Sequence, residues 1–166
     1  MSIKKSVSNT NSDQILGANN SDIEDLKGAT NGMLHIFVVR DAKRWREDGR
    51  FLEIGFGPYD WESLFLDVLN CPAIESRAEG ESYVEHLERY RKKFQHAIPN
   101  YPMLGRIWDI YEDVSYTPGE VKQLHEECLR VKTYTSHPDA LRALRKLIFA
   151  CDEALKVGQG LFLASD

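Results

Sequence analysis

Leu34-His35-Ile36-Phe37-Val38-Val39 is the first strongly apolar run in the 166-residue chain, and its reading decides the fold. Six β-rich residues are too short a run for a buried helix and suit a strand covered on both faces. Phe51-Leu52-Glu53-Ile54-Gly55-Phe56 follows a charged stretch around Asp48-Gly49 and reads as a second strand, paired with the first as an antiparallel hairpin. Gly160-Leu161-Phe162-Leu163-Ala164 is a third short apolar run, expected to dock into the same sheet.

Helical spacing fills the middle. Pro58, Asp60 and Glu62 resemble a helix first turn, and Trp61, Leu64, Phe65 and Val68 recur at helical intervals up to Asn70-Cys71-Pro72. From Gly80 to Ile98 the stripe Tyr83, Leu87, Tyr90, Phe94 predicts an amphipathic helix. Leu104, Ile107, Trp108 and Tyr111 suggest another, weakened by Gly105. Thr117-Pro118-Gly119-Glu120 has the N-cap, first-turn proline and returning glutamate of a capping box, which opens a helix to about Lys132. His137-Pro138-Asp139 opens the last helix, closed by Gly158. Together these elements predict an α+β domain: a small antiparallel or mixed sheet of about three strands packed against four or five helices.

Residues 33–166 form the expected single domain. Residues 1–32 are rich in Ser, Asn, Asp and Gly and bury too little apolar area to offset the entropy of ordering, so they are expected to be a disordered tail. The net charge of -5 disfavours non-specific nucleic-acid binding. No run approaches the length of a membrane span and no secretion signal is visible, which predicts a cytoplasmic protein. The three cysteines, Cys71, Cys128 and Cys151, are read as reduced core residues.

Candidate chemistry is sparse. His125 and Cys128 share a helix face but lack two further zinc ligands, so no metal is expected, and no cofactor motif is present. The carboxylates Glu112, Asp113 and Glu120, and those at Asp60, Glu62 and Asp67, are accounted for by solvation and helix dipoles. The connection from Arg40 to Arg50 is longer than a hairpin needs and interleaves Arg40, Lys43, Arg44, Arg46 and Arg50 with Trp45. With the aromatics Trp61, Trp108 and Tyr111, it supplies the candidate ligand- or partner-binding residues. No catalytic residue is assigned.

The carboxy-terminal half, from Tyr116-Thr117-Pro118-Gly119-Glu120-Val121 through Leu147-Ile148-Phe149-Ala150-Cys151-Asp152 to Gly160-Leu161-Phe162-Leu163, resembles small uncharacterised bacterial proteins, some of them similar to toxin-neutralising immunity proteins. That resemblance implies a compact acidic protein that occupies a toxin's active site. The favoured expectation is a non-enzymatic bacterial protein-binding module with an exposed aromatic and acidic face, a basic protein partner and no deep pocket; a homodimer is also open to it. The alternative is a small enzyme or ligand-binding domain whose pocket is walled by the aromatics and the basic loop.

Overall fold

The structure, a computed structural model, describes residues 25–26 and 34–166. The expected tail lies outside the described residues except for Asp25 and Leu26, and Leu26 is buried in the main core.

A four-stranded antiparallel sheet organises the domain. β1 (Leu34–Val39), β2 (Arg50–Phe56), β3 (Val114–Tyr116) and β4 (Gly160–Ser165) are arranged in the order β2-β1-β4-β3. The last strand thus lies between the first and the third, with Leu34 opposite Ser165 and Val39 opposite Gly160. Gly160 is required there, because a Cβ would collide with the carbonyl oxygen of Tyr116. On the β2 edge Glu53 takes a positive φ of 59° and the register with β1 shifts, a bulge that spoils the edge as a template for another strand.

Among the described residues from Leu34 onward the α-helices are α1 (Trp45–Asp48), α2 (Pro58–Trp61), α3 (Tyr83–Ala97), α4 (Pro118–Tyr134) and α5 (Pro138–Lys156). α2 continues without a break into a π-helical stretch, Glu62–Val68, in which Leu69 N–H reaches Leu64 O at 3.0 Å. The wide turn lets three consecutive residues, Ser63, Leu64 and Phe65, all be buried, which the tighter α-helix does not permit as readily. Leu34, Ile36 and Val38 of β1, Leu161 and Leu163 of β4, and the inner faces of α4 and α5 meet in the main core. The two long helices, joined only by Thr135–His137, pack side by side as expected. Thr117 and Glu120 form the reciprocal cap read from the sequence.

The α+β architecture is as expected, and the structure refines it in three places. β3 is a fourth strand too short to show a period. The helix expected around Leu104–Tyr111 is only a 3-10 turn, Leu104–Arg106, followed by irregular chain. Its first N–H groups are taken by a side chain: the fully buried Glu127 of α4 accepts from Met103 N–H and, at 2.9 Å, Leu104 N–H. Trp108 then turns inward against Tyr90. On α3 the buried stripe is His86, Tyr90 and Phe94, whereas Tyr83 is 63% exposed. Leu87 packs against the core beside them, so the expected stripe holds from Leu87 onward, with His86 added to it.

Burial raises the carboxyl pKa of Glu127, and the two backbone donors oppose that shift. Glu127→Ala strands both N–H groups in the interior and is expected to lower stability by about 3 kcal/mol, with Glu127→Gln costing roughly half as much because it keeps an acceptor oxygen. Urea unfolding of the three proteins measures both differences.

Candidate functional site

The basic connection between β1 and β2 is a lid on the sheet. Asp41 accepts from Lys43 N–H and starts a 3-10 turn, Ala42–Arg44, that runs into α1. This swings Trp45 back over the outer face of the sheet, stacked on Phe162 with ring centres 5.1 Å apart and tilted against Phe37 at 4.9 Å. Arg46 lies over the Trp45 ring, Arg44 pairs with Glu47 and Arg50 with Glu153. Arg40 and Lys43 are exposed and make no ion pair among the described residues. The length of the connection is therefore explained by packing: helices cover one face of the sheet and this loop covers the other.

Trp61 and Trp108 do not join the loop. Trp61 stacks on Phe94 and donates its Nε1–H to Ile107 O at 2.8 Å, while Trp108 is buried beside Tyr90. Tyr111 is the exception, being 65% exposed.

Register places a different set of residues at one end of the sheet, spread from the β2 edge to the β3 edge. Leu34 faces both Phe56 and Ser165, and Val114 faces Leu163, so β2 and β4 end where β1 and β3 begin. At that end of the sheet lie Tyr59, 77% exposed, the segment Asp109–Asp113 with Tyr111, and Asp166. Between Ile107 and Thr117 there is no lysine or arginine. Asp113 fastens this segment to β4 by accepting from Ser165 N–H at 2.8 Å, and Asp166 pairs with His35. Asp109, Glu112 and Asp113 make no ion pair with a described residue. The basic connection lies at the opposite end of the strands. Sequence reading recognised Tyr111, Glu112 and Asp113 separately, but only the sheet register brings Tyr59 and Asp166 to the same end.

Beneath Tyr59 the turn is held by a buried ion pair. Lys146 of α5 is 1% exposed and donates to Gly55 O at 2.8 Å and to Asp60 Oδ2 at 2.7 Å. Asp60 also accepts from Gly57 N–H, and Arg142 approaches its other oxygen at 3.4 Å. Burying these charges is tolerated because each meets hydrogen-bonding partners of the opposite polarity. The ammonium lies under the backbone, out of reach of a substrate, and acts as an anchor.

A second ordered loop runs from Pro72 to Ser82. Arg89 of α3 grips Glu75 and both oxygens of Glu81, Lys93 pairs with Glu75, and the buried His86 lies 3.5 Å from Glu81. The hydrogen bonds from Arg89 and then the Ala78 N–H pull the Glu81 carboxyl down to about 2.

The remaining candidates are structural. Burial pushes the Cys71 thiol up to about 12 and raises Cys128 and Cys151 as well, so none is poised as a nucleophile. His125 pairs with Asp152, and among the described residues no three His, Cys, Asp or Glu side chains converge as a metal would require. No described helix is long and apolar enough to cross a membrane. Concavities on the described surface include one of about 230 Å³ beside Tyr101 and Tyr134, one of about 590 Å³ over α3 and one of about 530 Å³ over α4.

Two expectations follow. Lys146→Met leaves Asp60 buried without its main partner and costs about 3–5 kcal/mol, whereas the double change with Asp60→Asn costs less than Lys146→Met alone, a comparison urea unfolding makes directly. Because the folded-state pKa of Glu81 is lowered, its contribution is complete above the ordinary carboxylate value and lost as pH falls towards about 2. The difference in Tm between wild type and Arg89→Met should therefore shrink steadily from about pH 5 to about pH 2.

Compared with known proteins, the chain matches no protein-family model, no curated protein and no solved structure, so the role of this surface has to be argued from its own chemistry.

Proposed function

We propose that this chain is a non-enzymatic, cytoplasmic protein-binding module of bacterial type, an immunity or regulatory protein, that engages a basic partner through the aromatic and acidic end of its sheet. The observation that carries this reading is that two exposed tyrosines stand at one end of the sheet, Tyr59 beyond the β2 edge and Tyr111 beside the β3 edge with Asp109, Glu112 and Asp113 in a segment that contains no lysine or arginine. Aromatic side chains with a polar tip are the usual anchors of protein interfaces, and surrounding carboxylates steer a cationic partner and fix its orientation. Both tyrosines stand on backbone pinned from behind, Tyr59 by the Asp60 and Lys146 pair and Tyr111 through Asp113 on β4. A pinned surface loses little entropy on binding.

The lining of the concavities favours this reading over a ligand-binding domain. The hollow beside Tyr101 and Tyr134 has those two tyrosines in its wall but none of the basic loop residues that the alternative also needs.

The test is affinity capture from the native host with the wild-type chain as bait, followed by titration of the captured protein. A basic protein should be retained, with its affinity falling steeply with salt. Tyr111→Ala should weaken binding about 30-fold, and Glu112→Lys should slow association. Capture of a small molecule instead, or a partner held equally well by both variants, would overturn the proposal.

A further inference from the structure

The chain from Cys71 to Ala78 forms neither helix nor strand, yet it is fastened at Pro72, Glu75 and Ala78. Tyr90 of α3 donates its hydroxyl to Pro72 O at 3.1 Å, and the Glu75 carboxylate is held by Arg89 and Lys93. Ala78 is held through its backbone: its N–H donates to Glu81 Oε2 at 3.0 Å, and its carbonyl accepts from Glu81 N–H at 3.1 Å. Gly80, with a φ of 77°, allows the turn that joins them. Glu81 is gripped in turn by two bonds from Arg89. One guanidinium thus fixes Glu75 and, through Glu81, Ala78. Between these two, Ser76 and Arg77 are exposed and make no hydrogen bond or ion pair with a described residue, and Ile74 just before them is 59% exposed.

An irregular segment fixed on both sides of an exposed arginine presents that residue with little conformational entropy left to lose on binding. We infer that this loop is an inhibitory binding loop for a serine endopeptidase whose specificity pocket ends in a carboxylate. Arg77 enters the pocket, and Arg77–Ala78 is the bond presented to the catalytic serine. The unpaired guanidinium matches a carboxylate with two parallel hydrogen bonds, and the loop has no helix or strand pairing to break before it enters a protease cleft. The flanking bonds make it an inhibitor instead of a substrate. When the serine attacks the Arg77 carbonyl carbon, an ester forms, the peptide bond breaks, and the hydroxyl proton passes through the enzyme's histidine to the Ala78 nitrogen. Glu75 and Ala78 are tied to the same Arg89, so the new amine stays beside the ester. It attacks in return, re-forms the peptide bond and gives the serine back its proton before water enters. None of the residues at the acidic end of the sheet takes part, so this inference is independent of the partner proposed above.

Trypsin and chymotrypsin, assayed on chromogenic peptide amides with the full chain added up to about 10 µM, test this. Trypsin should be inhibited with a dissociation constant of about 1 µM or below, whereas chymotrypsin, whose pocket is apolar, should be unaffected. Arg77→Ala should weaken the inhibition of trypsin about a hundredfold or more, since it removes the residue that fills the pocket. Arg89→Met should turn the inhibitor into a substrate: mass spectrometry then finds the Arg77–Ala78 bond cut, and inhibition fades during the incubation while that by wild type persists. Circular dichroism verifies that each variant is folded. Arg77 has no described partner, so Arg77→Ala decides alone should Arg89→Met unfold. Trypsin unaffected at the highest concentration, inhibition that survives Arg77→Ala, or a wild-type loop cut and released as fast as that of Arg89→Met would overturn the inference.

Discussion

The insertion of β4 between β1 and β3 is the constraint on which the rest of the domain depends. β1 pairs with β4 along its whole length, and β3 touches the sheet only through β4. Leu161 and Leu163 complete the main core while Phe162 and Ala164 complete the outer cluster, so one strand serves both faces. The pairing joins residues more than a hundred positions apart, as Leu34 opposite Ser165 illustrates. Loop closure on that scale costs entropy before any contact offsets it, and the sheet is expected to form late, after the α4–α5 pair has brought β4 near its slot.

A sheet with helices on one side leaves its other side to be covered. Here the solution is local: the connection that joins β1 to β2 folds Trp45 over Phe37 and Phe162, and Arg46 closes over the indole. The cations nearby are thereby divided between internal ion pairs and solvent. A loop that looks built for a ligand from its composition is accounted for by the need to shield an aromatic sheet face from water.

What could be read from the chain follows from how local each signal is. The strands at Leu34, Phe51 and Gly160 and the capped helix at Thr117 are written in contiguous residues, and the α+β architecture follows from them. β3 escaped because Val-Ser-Tyr is too short to show a period and is a strand only by virtue of its neighbour. The helix expected at Leu104 ends after one 3-10 turn, even though Glu127 of α4, distant in sequence, accepts from its first donors as a cap would. The stripe of α3 is kept at Leu87, Tyr90 and Phe94, and only its first residue, Tyr83, lies beyond the core. For the candidate surface, Tyr111 was visible as an aromatic among acids, but its grouping with Tyr59 and Asp166 is a property of register, which no local pattern encodes.

Two fully buried charged side chains, one on each long helix, show why that end of the sheet is ordered. Glu127 of α4 holds the backbone at Met103 and Leu104, from which the chain leads to Tyr111. Lys146 of α5 holds Gly55 and Asp60, which flank the turn presenting Tyr59. Irregular backbone has no ladder of its own to satisfy its donors and acceptors, so a long polar side chain reaching out of the core does so instead. An apolar residue in either place would pack as well and avoid the cost of desolvation, yet it would leave the loop free to choose among conformations. The two buried charges are thus best understood through the backbone they fix: Lys146 holds the turn that presents Tyr59, and Glu127 holds the 3-10 turn at Leu104.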